Sequence, residues 1–153
     1  MVSKTVLGLF TAGAVAVAIA GAAMADAKSA IEARQACMKQ GHGGMMKVMV
    51  PVMKGQAKFD KAAIDEAIAK SDAACAGWAD WWGEDTKPGG AVKTEAKLEI
   101  WTDPKGFEAA GMTYVKAQEA VKAAADEAAF KAAFPALGKG CQGCHEKFRQ
   151  AED

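Results

Sequence analysis

The segment Cys141-Gln142-Gly143-Cys144-His145, near the C-terminus, constrains this chain more than any other feature. C-x-x-C-H is the attachment pattern of a c-type haem, in which two thiols add across the porphyrin vinyl groups and the adjacent imidazole binds the iron. On a helix, Cys141, Cys144 and His145 stand at positions i, i+3 and i+4, so they project from one face. The motif therefore predicts one covalent haem c with His145 as the proximal iron ligand.

Two other uses of this motif fit the sequence poorly. A structural zinc site needs four ligands, and this cluster offers three. A thioredoxin-like C-x-x-C would lie near alternating strands and helices, and no strand-like alternation surrounds Cys141. Haem attachment is therefore the preferred interpretation.

Residues 1–25 have the pattern of a secretory signal peptide. One Lys lies within the first four residues, residues 5–24 carry no charge, and Ala23-Met24-Ala25 supplies a small-x-small cleavage pattern. The alternative is a retained membrane anchor, but the stretch is mostly Ala, Gly and Val rather than bulky apolar residues. The sequence thus predicts cleavage after Ala25, a periplasmic domain at residues 26–153, and no stable membrane association after cleavage.

The charge balance excludes some partners. The chain has 19 Lys and Arg against 19 Asp and Glu, and loss of Lys4 with the leader would make it slightly acidic. No basic face for nucleic acid is present, and a surface of mixed sign suits transient protein partners such as periplasmic redox proteins. The Ala-rich composition, with one Tyr, favours an all-α chain.

The first of four predicted helices begins at Ser29, where Ser29-Ala30-Ile31-Glu32 has the form of a capping box. It ends near Met53, with Pro51 and Gly55 as stop signals. Its inward positions recur every seven residues, and a second set interleaves them, which is the pattern of a helix bundle. The first set is Ile31, Met38, Met45 and Val52, and the second set is Arg34, Gly41 and Val48.

The other three helices each have an apolar stripe and a start or stop signal. Asp60 should cap the second helix and Asp103 the third, with Pro104 at its first position. Residues 83–99 read as a surface crossover loop, and Pro135 should kink or split the fourth helix. The stripes are Ile64, Ile68, Ser71, Cys75, Trp78 and Trp82; Phe107, Gly111, Tyr114, Gln118, Val121 and Ala125; and Phe130, Phe134, Leu137 and Phe148. The predicted fold is an all-α, antiparallel up-down-up-down four-helix bundle with haem c inside one end.

On these motifs and helices, the chain resembles the class II c-type cytochromes, which include cytochrome c′. The resemblance covers essentially all of residues 26–153, and Pro135 departs from the usual fourth-helix sequence. Its motifs are the C-terminal C-x-x-C-H, Arg34-Gln35, Lys54-Gly55-Gln56, Glu99-Ile100-Trp101 with Asp103, and Arg149. The resemblance implies the bundle, a periplasmic address, frequent dimers, pairing of Arg34 with a haem propionate, and Arg149 beside the proximal imidazole of His145.

Arg34 has independent support from its position. It occupies an inward position between Ile31 and Met38, where an unpaired charge would cost several kcal/mol. A propionate would supply the partner. The alternative is an Arg that extends its head to solvent at the open end of the bundle.

Met38 decides between two functions. It lies one turn past Arg34, at the position that faces the distal side of the iron in the family it resembles. As a sixth ligand it would give a low-spin His/Met centre that transfers single electrons. If it stays off the iron, the five-coordinate centre would bind NO or CO. The sequence favours the electron carrier, and an enzyme such as a peroxidase ranks last because no distal acid–base pair can be recognised.

The two remaining cysteines and His42 left alternatives open. If the first two helices turn near residue 56, Cys37 and Cys75 lie at the same level, which allows a disulfide or two buried thiols. His42 lies in a Gly-rich stretch where we expect the helix to bulge, and it reads as a solvated side chain; the alternatives are an iron ligand or a copper site with Met45, Met46, Met49 and Met53. The tryptophans Trp78, Trp81, Trp82 and Trp101 are expected to fill the core near the crossover rather than to stack on porphyrin or form a dimer face.

Overall fold

The longest helical segment has three consecutive parts, which are α1 (Val15–Ala36), a π-helical segment (Cys37–His42) and α2 (Gly43–Met53). The structure is a computed structural model that describes residues 15–90 and 92–150, with side chains from residue 26 onward. The predicted start at Ser29 is wrong, because Ser29 lies inside α1. The upstream residues are mostly Ala, which continues a helix readily, and a Ser caps a helix only where the chain before it is not helical.

Residues 1–14 of the predicted signal peptide lie outside the described residues. The backbone of the rest of it belongs to α1, and the predicted cleavage after Ala25 stays a prediction. Within the described part of the chain, none of the helices is both long enough and apolar enough to cross a membrane.

The π-helical segment changes which residues of this helix face the core. Its wider turn is closed by the Gly43 N–H, which donates to the carbonyl oxygen of Met38, five residues back. Beyond it Met45 and Val52 are buried as predicted, but so is Met49, which the seven-residue repeat missed. A π turn takes up more residues than an α turn, so the second set of inward positions shifts by one residue, from the predicted Val48, which is half-buried, to Met49.

The end of α2 follows the predicted stop signal at Gly55. Gly55 has φ +69°, a left-handed conformation that costs glycine little. Its N–H donates to the Val52 carbonyl at 3.0 Å, and the Gln56 N–H donates to the Pro51 carbonyl at 2.8 Å, which together form a Schellman motif. Pro51 itself lies inside α2.

The remaining helices are α3 (Lys61–Ala74), the short α4 (Glu99–Thr102), α5 (Pro104–Lys122) and α6 (Glu127–Phe148). The carboxylates of the N-cap residues of α3, α5 and α6 accept hydrogen bonds from the N–H three residues on, which confirms the two predicted caps. The three caps are Asp60, Asp103 and Asp126. The predicted second helix was too long, because α3 ends at Ala74 and short 3-10 turns follow at Trp78–Asp80 and Glu84–Thr86.

Pro135 does not split the last helix. It lies on the exposed side of α6, which runs without interruption from Glu127 to Phe148. The missing N–H of Pro135 leaves the Lys131 carbonyl without its helical donor, and a carbonyl near the exposed side is free to bind water instead.

The four long helical segments form the predicted bundle. The short links Lys54–Asp60 and Ala123–Asp126 join antiparallel neighbours, so that α2 packs on α3 and α5 packs on α6. Between them lies one apolar core. Its buried members include Met45, Met49, Val52, Ile64, Ile68, Val121, Phe130, Phe134 and Leu137. Glycine allows two close approaches toward the haem-motif end: a Cβ on Gly41 would lie 3.1 Å from Cβ of Ala74, and one on Gly140 would lie 3.2 Å from Cα of Tyr114.

The crossover between α3 and α5 is more ordered than its sequence suggested. Thr86 is buried, and the strip before α4 pairs with the chain end. The Lys97 N–H donates to the Phe148 carbonyl at 2.9 Å, and the Gln150 N–H donates to the Glu95 carbonyl at 2.7 Å. This pairing fixes the end of α6, immediately after the C-x-x-C-H motif.

Candidate haem-attachment site

The three residues of the C-x-x-C-H motif lie in α6 at the predicted helical spacing, and all three are half-buried. Burial raises the pKa of the Cys141 and Cys144 thiols, so both stay protonated at neutral pH. Burial, helped by the charge of Arg149, lowers the pKa of His145. A neutral imidazole offers a free lone pair to a metal.

Arg149 lies at the same end of α6 as His145, and both line an open cavity of about 260 Å³ with Lys97, Glu146 and Gln150. The Arg149 Nε donates to Oε2 of Glu95 at 2.8 Å, and its backbone N–H donates to the His145 carbonyl at 3.0 Å. The crossover strip therefore holds Arg149 close to the imidazole.

Arg34 is buried inside a box of neutral oxygens. Its guanidinium donates to the Trp81 carbonyl, to the hydroxyl and the carbonyl of Thr86, and to the hydroxyl of Thr94, all at 3.2 to 3.3 Å. The side chain is not extended to solvent, since Arg34 is 5 % exposed, so that alternative is wrong. The crossover loop, which was predicted to lie at the surface, supplies three of these four acceptors, and Trp81 just before it supplies the fourth.

The Arg34 box has more donors than acceptors. None of the hydrogen-bond acceptors of Arg34 among the described residues is a carboxylate, and burial lowers its pKa to about 10, which still leaves it charged at neutral pH. The guanidinium carbon lies 4.5 Å from the centroid of the Trp82 ring, and the buried Trp82 Nε1 has no hydrogen-bond partner within the described part of the chain. A buried cation beside an unsatisfied N–H suits an anionic acceptor.

Met38 and His42 both belong to the π-helical segment. Met38 is half-buried, one turn beyond Arg34. The prediction that His42 is solvated is wrong. Its Nδ1 lies 2.8 Å from the Ser71 hydroxyl and 2.9 Å from the Tyr114 hydroxyl, and burial lowers the pKa of its ring. The helix does bulge in the Gly-rich stretch, as expected, and the bulge turns His42 inward.

Cys37 and Cys75 form a disulfide, which settles the alternative that the sequence left open. The bond joins the first residue of the π-helical segment to the residue that follows α3, with Cα atoms 4.9 Å apart. Nε2 of His42 lies 3.8 Å from Sγ of Cys37 and 3.7 Å from Sγ of Cys75. The observed contacts of His42 are thus with hydroxyls and this disulfide, and the methionines of the alternative copper site are not among them.

Trp78, Trp82 and Trp101 pack together beside Arg34, but all four tryptophans are half-buried and none belongs to the buried core, so the prediction that they fill the core is wrong. Trp82 contacts Trp78, Trp101 and Phe107 with ring centroids 4.7 to 6.1 Å apart. The Trp101 Nε1 donates to the Trp82 carbonyl at 2.9 Å. This aromatic cluster forms the wall of the Arg34 box.

Sequence analysis missed the roles of several polar residues. Ser71 and Tyr114 were assigned only to apolar stripes, although a polar residue at a buried stripe position requires a hydrogen-bond partner and so signals a network. Thr86 and Thr94 carried no such signal, because they lie in an aperiodic loop whose path depends on tertiary contacts.

The comparisons with known proteins agree with this geometry. The profile of the family described as Cytochrome C′ matches residues 29–149. The chain belongs to the cytochrome c′ family. It is 34 % identical over 126 residues to cytochrome c′ of Rubrivivax gelatinosus, covering 79 % of this chain and 94 % of the relative. It is 30 % identical over 149 residues to cytochrome c-556 of Rhodopseudomonas palustris (strain ATCC BAA-98 / CGA009), covering 94 % and 97 % of the two chains.

Solved structures of the cytochrome c′ family superpose well on this chain. Cytochrome c′ from Rhodobacter Spheriodes has a TM-score of 0.73 at 26 % identity, covering 82 % of this chain and 98 % of its own. A nitric oxide complex of a variant of cytochrome c prime from Alcaligenes xylosoxidans has a TM-score of 0.70 at 27 % identity, covering 82 % and 97 %. The predicted bundle, family and covalent haem c are confirmed, and the protein is a c-type cytochrome.

Proposed function

We propose that this c-type cytochrome is a periplasmic single-electron carrier, with His145 as the proximal and Met38 as the sixth ligand of the iron. Bound haem c supplies a one-electron Fe³⁺/Fe²⁺ couple. The relative that covers almost the whole chain is a cytochrome c-556, and a soft thioether is a capable iron ligand. Two protein ligands leave no open coordination position, which suits a carrier rather than an enzyme.

The Arg34 box is the observation that carries this proposal. Arg34 keeps its charge although its hydrogen-bond acceptors are neutral oxygens, and the Trp82 N–H beside it has no acceptor. A haem propionate would accept from both donors and neutralise the buried charge. An anchor at Arg34 would fix the haem edge beneath the first helix, and Met38 follows one turn later in that helix.

On the other side of the haem, we propose that Arg149 acts on the proximal ligand. Its ion pair with Glu95 and the pairing of the crossover strip with the chain end hold it beside His145. The positive charge of Arg149 favours a neutral imidazole and, because the reduced iron carries one positive charge fewer, the ferrous state, and the paired Glu95 carboxylate partly opposes both effects.

The periplasmic address and the partners follow from other features of the chain. Covalent haem c and the signal pattern of residues 1–25 both point to export in bacteria. Exposed ion pairs of alternating sign, such as Lys70–Glu66 on α3 and Lys131–Glu127 on α6, cover the outer faces. Such a surface favours brief encounters with periplasmic redox proteins over tight complexes.

Gas binding is the second candidate function, favoured by the similarity to a cytochrome c prime that was solved as its nitric oxide complex. If Met38 packs beside the iron without ligating it, this protein would bind NO or CO at the open position. Optical spectra of the ferric and ferrous holoprotein separate the two. A low-spin ferric spectrum with slow CO uptake supports the carrier, and a high-spin spectrum with rapid CO uptake supports the gas binder.

A further inference from the structure

Three metal-binding groups that are not part of the C-x-x-C-H motif converge beside the interior of the bundle. They are the two sulfurs of the Cys37–Cys75 disulfide and Nε2 of His42, and all three atoms lie within 4.8 Å of one another. Cys37 is fully buried, whereas Cys75 and His42 are half-buried. The π-helical segment brings them together, because Cys37 and His42 are its first and last residues.

His42 is held with its Nε2 directed at the sulfurs. Its other ring nitrogen, Nδ1, lies within hydrogen-bonding distance of the Ser71 hydroxyl at 2.8 Å and the Tyr114 hydroxyl at 2.9 Å. The Tyr114 ring also packs against the imidazole at a centroid distance of 4.7 Å. Metal-binding histidines in proteins are oriented in this way, by a hydrogen bond to the nitrogen that does not bind the metal.

We propose that reduction of the Cys37–Cys75 disulfide creates a copper(I) site formed by the sulfurs of Cys37 and Cys75 and Nε2 of His42. Soft thiolates select Cu⁺ or Zn²⁺ among common cations. A zinc ion takes four ligands, so with these three protein ligands it would need a water in the fourth position, whereas Cu⁺ is satisfied by fewer soft ligands. Three soft ligands in a largely buried position therefore favour the monovalent copper ion. The oxidised protein lacks the site, because a disulfide sulfur is not a thiolate.

The reaction needs a dithiol reductant, such as a protein of the thioredoxin type. A reductant thiolate attacks Sγ of Cys75, the more exposed sulfur, and the Cys37 thiolate leaves; the second reductant thiol then displaces Cys75. The disulfide gains two electrons and two protons to become two thiols, and the dithiol loses the same electrons and protons to become a disulfide. Binding of Cu⁺ then releases the two thiol protons as Cys37 and Cys75 become thiolates.

The test uses the haem-loaded protein, in which two of the four cysteines are bound to haem and the other two form the disulfide. Cys141 and Cys144 are thioethers in that form, so two free thiols per chain report complete reduction of Cys37–Cys75. The protein is reduced with a phosphine, freed of reductant without oxygen, and titrated with a copper(I) acetonitrile complex against a chromogenic copper(I) chelator. We expect one tightly bound Cu⁺ per reduced chain, with sulfur and nitrogen neighbours in the X-ray absorption spectrum, and none per oxidised chain.

Variants assign the ligands. His42→Gln keeps both cysteines, so its thiol count after reduction should match the wild type while its copper affinity falls at least about tenfold. Tyr114→Phe should weaken binding about tenfold through loss of orientation. Met46→Leu is the matched control for the methionine alternative and should leave the affinity unchanged.

Several results would overturn the proposal. They are failure of the disulfide to reduce while the Soret band and helical circular dichroism stay native, less than one tenth of an equivalent of bound Cu⁺, or undiminished affinity in His42→Gln. Equal copper binding by oxidised and reduced protein would also overturn it. Cys37→Ser removes one of the two proposed sulfur ligands. If that variant is less stable than the wild type, the His42→Gln result still tests the proposal on its own.

Discussion

The guanidinium carbon of Arg34 lies 4.5 Å from the ring centroid of Trp82, and the Nε1 of the same Trp82 is buried without a hydrogen-bond partner in the part of the chain that is described. One residue therefore offers its ring face to the cation while its N–H still requires an acceptor. A buried donor without a partner costs roughly 1 to 3 kcal/mol. This arrangement is unfavourable alone and favourable with an anion present, which is why we assign the box to a haem propionate.

Arg34→Leu should lower the reduction potential of the holoprotein. Loss of a positive charge near the haem disfavours the ferrous state by roughly 1 to 2 kcal/mol, or roughly 40 to 90 mV, for a charge about 10 to 15 Å from the iron at an effective dielectric near 20. Spectroelectrochemical titration at neutral pH measures the shift. Lys39→Leu removes the same charge from an exposed position of the π-helical segment and serves as the control, with a much smaller shift expected. Equal potentials for wild type and Arg34→Leu would refute the propionate role.

Trp82→Phe tests the unpaired N–H directly. If a propionate accepts from Trp82 Nε1, the substitution should lower the free energy of unfolding of the holoprotein by about 1 kcal/mol. If nothing accepts from it, removal of an unsatisfied buried donor should be neutral or stabilising. Urea titration, monitored by the Soret band and by circular dichroism, shows whether the free energy of unfolding falls or rises. Trp101→Phe is a control for lost indole area, although it also removes a hydrogen bond to the Trp82 carbonyl.

The fold followed from the sequence wherever local chemistry determined the structure. Asp60 and Asp103 cap helices as predicted, and Gly55 ends α2, because each acts on its own few residues. The helix start at Ser29 was wrong, and of the kink or split expected at Pro135 the split does not occur, since the surrounding helix formers outweighed a local signal.

The candidate site was predictable where a motif fixes the spacing and unpredictable where the bundle brings distant residues together. The C-x-x-C-H residues and a possible Cys37–Cys75 bond came from spacing alone. The inward turn of His42 depends on the phase change at the π-helical segment, and the acceptors around Arg34 come from a loop more than forty residues away. Periodicity carries no information about either.

Replacement of both motif cysteines should abolish covalent haem. In a host that assembles c-type cytochromes, Cys141→Ala with Cys144→Ala should give a chain whose haem is removed by acidified organic solvent, and which is largely unfolded because the haem fills the interior. Haem staining on a denaturing gel and circular dichroism measure the two effects. Cys37→Ser with Cys75→Ser is the matched control and should keep its haem stain. Extraction of haem from the wild-type protein by the same solvent would contradict the attachment site.

The neutral state of His42 should make stability depend on pH. Burial lowers its pKa below the ordinary value of 6.5, so the unfolded chain binds a proton at a higher pH than the folded one. The free energy of unfolding should therefore fall as pH drops below about 6.5 and level off below the folded pKa. The nearby Asp72 opposes the shift but does not cancel it. His42→Gln should flatten this region of the curve in urea titrations between pH 7.5 and 5, and an unchanged slope would show that His42 has the same pKa in the folded and unfolded chain. With His145 on the iron, as we propose, that residue does not contribute in the holoprotein.

Met38→Ala separates the two candidate functions. If Met38 ligates the iron, the wild-type ferric protein should be low-spin, with the far-red sulfur-to-iron charge-transfer band of His/Met haems, and should take up CO slowly because the gas must displace the thioether. The substitution should then convert the iron to high spin, speed up CO binding, and lower the potential by removal of a ligand that prefers ferrous iron. Met46→Ala, on a half-buried methionine of α2, should leave all three observations unchanged. A wild-type protein that is already high-spin and binds CO rapidly would instead make gas binding the function and leave Met38 a packing residue. A low-spin spectrum that survives Met38→Ala would identify His42 as the sixth ligand, which would require the imidazole to leave Ser71 and Tyr114.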